Sequence, residues 1–160
     1  MLTVTVGFSS VDDDLYREII LDHYRNPRRK RAVAPADMTV EASNPLCGDE
    51  VTLTLRVRDG AVDDVGFVGR GCSISQASAS MMCEEVAGRS REEAAALGHR
   101  FKEMLTKPGT QPDDLGDLEA LQGVRQYPVR IKCAVLPWNA LLRGLEGTAG
   151  DDDQETHVHE

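Results

Sequence analysis

With 160 residues, the chain is long enough for one domain with a real core, and its 41% hydrophobic content is ordinary for a globular protein. A net charge of −9 and a pI near 4.9 argue against a duplex-DNA binder, which needs a basic face to displace counterions. No apolar run approaches the length of a membrane span, and the N-terminus (MLTVTVGFSS) lacks both the charged leader and the apolar core of a signal peptide. The expected compartment is therefore the cytosol, with neither nucleic acid nor membrane as partner. In that compartment the four cysteines read as free thiols, metal ligands or catalytic groups rather than as a disulfide framework.

In chain order, residues 1–11 read as a flexible leader. Leu15, Tyr16, Ile19, Ile20, His23 and Tyr24 recur at helical spacing and predict an amphipathic helix from about Asp13 to Arg25, ended by Asn26-Pro27. The basic cluster Arg28 to Arg31 follows in an exposed turn. Three strands come next. Met38, Val40 and Ala42 alternate with polar residues, and so do Val51, Leu53, Leu55 and Val57. Asp59-Gly60 marks a hairpin into a third strand from about Val62 to Val68. Ser73-Ile-Ser-Gln76 reads as a capping box for a helix to about Ala87, and Ser90 as the cap of another helix through about Leu105. Pro108 to Pro112 is a linker, Leu115 to Leu121 a short helical piece, and Ile131 to Leu145 a last apolar helix with Pro137 in its first turn. Residues 147–160 read as a disordered acidic tail. Strands followed by helices give an α+β fold: a three-stranded antiparallel sheet with helices packed on one face, forming a single domain over residues 12–146.

Three segments carry chemistry. In Asn44-Pro-Leu-Cys47-Gly-Asp49, a glycine separates a thiol from a carboxylate and lets both turn towards one point, where they can chelate a metal ion. A tight turn with a buried Cys and a capping Asp explains the same residues. Gly69-Arg-Gly-Cys72 places a cysteine where a strand meets a helix start, which stabilises a thiolate. A glycine-rich strand end with a core cysteine is the plainer account. Arg130-Ile-Lys132-Cys133 places a third thiol near another helix start, beside two basic residues that would lower its pKa, although a buried Cys in an apolar segment fits as well. Together the three segments predict a pocket of Cys47, Asp49, Cys72 and Cys133 at one end of the sheet. Thiolates favour zinc or iron–sulfur over magnesium or calcium. Arg70, Arg130 and Lys132 would offset the excess negative charge. Cys83, His23 and Trp138 read as core, and His99 as surface.

These motifs, with the longer run Gly69-x-Gly-Cys72-x-Ile-Ser-x-Ala-Ser-Ala-Ser-Met-Met82 and with Asp22-His23-Tyr24-x-Asn-Pro27-Arg28, resemble the SufU/IscU/NifU-N family over about residues 12–146. The resemblance implies a SufE/IscU-like fold. Within the family the chain is similar to the SufU-type branch: Lys132 stands where scaffold-type members carry a His, and the stretch between Cys72 and Cys133 matches the branch's insertion. Arg130 matches a basic position of that branch. The resemblance then implies Zn2+ held by Cys47, Asp49, Cys72 and Cys133, with sulfur accepted from a SufS-type cysteine desulfurase. Cys47 would be the acceptor, a desulfurase His would replace it on the metal, and downstream Suf scaffold proteins would receive the sulfur. A scaffold holding a [2Fe–2S] cluster or iron on the same residues, and a non-catalytic zinc-binding interaction domain, are the alternatives.

Overall fold

A computed structural model describes residues 2–107, 115–146 and 155–159, with backbone alone considered for 2–13 and 155–159. Helix α1 spans Leu2–Arg25, followed by strands β1 (Met38–Asn44), β2 (Asp49–Arg58) and β3 (Ala61–Arg70). Helices α2 (Ser73–Val86) and α3 (Arg91–Thr106), a 3-10 segment over Gly116–Gln126, helix α4 (Pro128–Glu146) and strand β4 (Glu155–His159) complete the described chain. The proposed Pro108–Pro112 linker lies outside the described residues.

The expected meander is present. β1 pairs antiparallel with β2, and β2 with β3, through Asp59 and Gly60, whose positive φ angles (52° and 76°) suit a two-residue hairpin. Val40, Ala42, Val51, Leu53 and Leu55 are buried on one face, as the alternation requires. α4 lies across that face. A Cβ on Gly144 would sit 2.9 Å from Met38 Sδ and 3.1 Å from Val40 Cγ2, so glycine permits the close approach. Trp138 of α4 stacks on Phe101 of α3 with ring centroids 5.1 Å apart. The segment after α1 runs along the outer edge of β3, where Phe67 N donates to the Arg29 carbonyl at 3.0 Å, and then onto the opposite face, where Val33 N donates to Thr54 Oγ1 at 2.8 Å.

Several elements differ from the sequence reading. The leader continues α1 as helix from Leu2. Once a helix is nucleated, each added residue contributes a hydrogen bond at small further entropy loss, and residues 2–11 contain no proline to stop it. Part of the acidic tail is strand: Glu155–His159 pairs with β1, giving the sheet order β3-β2-β1-β4. β1 would otherwise be an edge with unpaired backbone groups, and Thr156-His157-Val158-His159 has the alternation that can pair with it. The basic turn is held by ion pairs within the chain. Arg29 and Arg31 both pair with Asp64 (2.9 and 3.0 Å), and Arg28 pairs with Asp22 (2.6 Å). α4 begins at Pro128 rather than near Cys133, which leaves Pro137 inside the helix. Pro128 satisfies the first-turn preference that the sequence reading gave to Pro137.

Candidate metal centre

The sheet ends nearest α2 and α4 bring the sequence-selected residues together. Asn44 and Asp49 close the β1–β2 ladder as register partners, with Pro45 to Gly48 as the connecting loop. The Asn44 carbonyl accepts from Cys47 N (3.1 Å) and Gly48 N (2.9 Å), and Gly48 has φ +72°. The loop thus lifts Cys47 into solvent while Asp49 turns inward and is fully buried. Ligand atoms of Cys47, Asp49 and Cys133 all lie within 4.8 Å of one another. Cys72 stands outside that group of three but borders it: its Sγ is 4.0 Å from Asp49 Oδ2 and in hydrogen-bond contact with Cys133.

Cys72 stands where β3 meets α2, as expected, but it takes the N-cap position itself in place of the capping box expected from Ser73, and its side chain makes no cap hydrogen bond. The Cys72 N–H donates to Asp49 Oδ1 at 2.9 Å, so a carboxylate from another strand satisfies the helix start. Ser75 Oγ lies 3.3 Å from the same oxygen and 3.1 Å from the Cys72 carbonyl. A Cβ on Gly71 would run into Asp49 Oδ1 and lie 2.7 Å from Ser75 Oγ, so glycine is needed for Asp49 to reach the cap. One oxygen of Asp49 is therefore committed to the fold and the other faces the sulfurs. Sequence reasoning missed this double role and missed Ser75. The only signal was the short Gly69-x-Gly71 run ahead of the cysteine.

Cys133 is buried in the second turn of α4, not at its start. Pro137 removes the N–H that would bond the Cys133 carbonyl. Alongside, Ser78 Oγ of α2 donates to the Ala134 carbonyl at 2.6 Å, tying the two cysteine-bearing helices together. The electrostatics also differ from expectation. The hydrogen bond from Cys133 favours the Cys72 thiolate and brings its pKa down to about 6. The same contact, with burial and the Asp49 carboxylate, drives the Cys133 thiol upward, so the two sulfurs share one proton. Arg130 is exposed and Lys132 half-buried, and neither brings Cys133 down. Arg70 turns outward to Glu50 at 3.2 Å.

The remaining candidates fall as read. Cys83 is core, with burial pushing its pKa to about 12. His23 is buried, its Nδ1 2.8 Å from Ser80 Oγ and its Nε2 2.9 Å from Asp117 Oδ2, which ties α1 to α2 and the 3-10 segment. His99 is at the surface, 2.8 Å from Glu146 Oε1. Beside the centre, an apolar cleft of about 340 Å³ opens between α1, the start of α2 and the 3-10 segment, lined by Ile20, Ile74 and Val124 and bordered by Arg17 and Arg130.

Residues 15–134 match the model of the NifU-like N terminal domain. The chain belongs to that family. It is 44% identical over 146 residues to the zinc-dependent sulfurtransferase SufU of Bacillus subtilis, covering 91% of this chain and 99% of the relative. It is 39% identical to the iron–sulfur cluster assembly scaffold protein IscU of Streptococcus pyogenes, covering 84% and 85%. Among solved structures, a SUF-system cluster assembly scaffold protein of Fervidobacterium islandicum superposes with a TM-score of 0.76 at 34% identity, over 81% of this chain and 95% of the other. A NifU-like N-terminal protein of Brucella abortus gives 0.75 at 31% identity, over 86% and 98%. The chain is thus a SufU/IscU/NifU-like member of the iron–sulfur cluster assembly proteins. No helix among the described residues is long and apolar enough to cross a membrane.

Proposed function

We propose that this protein is a zinc-dependent sulfur acceptor that takes persulfide sulfur from a SufS-type cysteine desulfurase for iron–sulfur cluster assembly. The observation that carries the reading is the asymmetry of the thiol set: one exposed cysteine on a loop, beside a buried carboxylate and two cysteines anchored on helices. Zinc suits these residues. Three thiols and one carboxylate are a soft donor set in the number that zinc takes; two of the thiols and the carboxylate already lie within 4.8 Å of one another, and Cys72 lies 4.0 Å from Asp49 Oδ2. Two buried side-chain atoms of Asn44, the partner of Asp49 in the ladder, have no hydrogen-bond partner among the described residues, as expected beside a centre that binds a further group.

Cys47, Asp49, Cys72 and Cys133 would hold the ion. Bound there, zinc keeps the thiols deprotonated and shields them from oxidation. The chain's own residues do the rest. Cys47 meets the donor because it is the exposed member. Its thiolate attacks the outer sulfur of the donor's cysteine persulfide. A new S–S bond forms on Cys47, the donor's S–S bond breaks, and the donor cysteine leaves as a thiolate, with no net oxidation or reduction. Asp49, Cys72 and Cys133 stay in place, because moving them would break the α2 cap and the α2–α4 tie. Arg130 and Lys132 contribute positive charge beside the centre. The cytosol, which keeps thiols reduced, fits this chemistry, and a downstream Suf scaffold would take the sulfur on.

Metal analysis with a visible spectrum of protein purified without added metal tests the reading. About one zinc per chain and no colour supports it. A brown protein with stoichiometric iron and sulfide supports the scaffold activity named for the Streptococcus pyogenes relative instead.

A further inference from the structure

Asn44 has no accessible surface, yet neither its Nδ2 nor its Oδ1 has a hydrogen-bond partner among the described residues. A buried amide without partners is destabilising, so such a group points to a partner that arrives later. Turn chemistry does not explain it. An Asn opening a turn commonly bonds its side chain to the backbone two residues on. Here the Asn44 main-chain carbonyl holds the turn, through Cys47 N and Gly48 N, and the side chain takes no part.

The strand register says where the amide lies. Burial alternates along β1, so Asn44 shares the covered face with Val40 and Ala42. It stands directly opposite Asp49, and side chains so paired have Cβ atoms about 5 Å apart. Asp49 Oδ1 is already engaged by Cys72 N and approached by Ser75. Cys72 stands at the start of α2 and Cys133 inside α4, whereas Cys47 lies three residues after Asn44 in the same turn. Cys47 is the sulfur of the set with no hydrogen-bond contact given to any described residue, and its own backbone is pinned to Asn44.

We infer that the Asn44 side-chain amide donates a hydrogen bond to the Cys47 thiolate of the metal-loaded centre and so holds the sulfur acceptor in place until a donor arrives. Asn44 is a positioning residue: it acts on the reacting sulfur through a bond that a thiolate accepts well, because charge-assisted bonds are the stronger ones. The inference rests on the zinc reading above, and the test separates the two.

In wild-type protein loaded with an NMR-active cadmium isotope and labelled with nitrogen-15, the Asn44 side-chain protons should show through-bond coupling to cadmium across the thiolate. In zinc-loaded Asn44→Ala, iodoacetamide should modify Cys47 faster by on the order of tenfold, the effect of losing one hydrogen bond to a charged group. Cys72 and Cys133 should react at wild-type rates. Absence of the coupling in metal-loaded wild type overturns the inference even if Asn44→Ala fails to fold, and leaves the zinc reading standing. Equal acceleration at all three cysteines overturns it too, since that is general loosening. Protein that takes up no metal on these four residues overturns both.

Discussion

The two cysteine-bearing junctions on β2 and β3 solve opposite problems. At the β1–β2 turn, Gly48 has open space around the position of a Cβ, and Cys47 is exposed. At the β3–α2 junction, a Cβ on Gly69 would meet the Glu50 carbonyl and one on Gly71 would meet the Asp49 carboxylate, with Cys72 fixed by its N–H bond to Asp49. Glycine serves freedom in the first and close packing in the second. A sulfur relay needs both: one thiol that can move and others that cannot.

The largest break in this comparison should come from Asp49→Ala. It removes a proposed zinc ligand and also leaves the Cys72 N–H without its partner. Chemical denaturation should show a loss of about 3–5 kcal/mol, as for other buried charged partners, and zinc should be lost from the purified protein. Asp49→Asn should recover most of the fold by keeping the cap, but not the zinc. Gly71→Ala should follow, at about 1–3 kcal/mol, because the new methyl displaces Asp49. Gly48→Ala is the matched control at the open turn. Its penalty is only the left-handed backbone, about 1–2 kcal/mol, with zinc retained. A Gly48 variant that loses zinc while Gly71→Ala keeps it would invert the comparison.

Titration gives a finer test. In metal-free protein, alkylation of Cys72 should rise with a midpoint near pH 6, where its pKa is held down by the Cys133 bond. In Cys133→Ser that midpoint should move upward. Cys83 works in the other direction. Its folded pKa of about 12 lies above the ordinary 9.0, so between those values the unfolded chain has lost a proton that the folded chain keeps. Its contribution to stability is complete below pH 9 and falls as pH rises towards 12, with a limiting slope of about 1.4 kcal/mol per pH unit. Cys83→Ala should flatten the stability curve in that window and leave zinc content unchanged.

Much of this was legible in the sequence because its signals are local. Period-two alternation and Asp59-Gly60 define the meander, and Ser90 bonds Glu93 N at 3.1 Å as a cap three residues upstream should. Cys47, Asp49 and Cys72 could be grouped because they stand at element junctions, and Cys133 was added on a helix start that the structure places five residues earlier. What was not legible depends on distant contacts. Ser73-Ile-Ser-Gln76 has the letters of a capping box, but Asp49, 23 residues away, already occupies the helix start. Pro128 and Pro137 are both plausible first-turn residues, and tertiary packing decides that α4 begins nine residues earlier than Pro137. The raised Cys133 thiol follows from that shift, since a sulfur in the second turn faces Cys72 and Asp49 rather than solvent and its basic neighbours. Nor does the sequence tell that the Asn44 amide lacks a partner among the described residues, since that depends on what packs around it.

Cys47 as the sulfur acceptor can be tested by trapping the transferred sulfur. The zinc-loaded protein is incubated with a SufS-type desulfurase and cysteine, trapped with an alkylating agent, and mapped by mass spectrometry alongside Cys47→Ala. The extra sulfur should lie on Cys47 in wild type, and Cys47→Ala should fold and bind the desulfurase without accelerating its turnover. Persulfide on Cys72 or Cys133, with Cys47→Ala still accelerating turnover, would contradict that assignment.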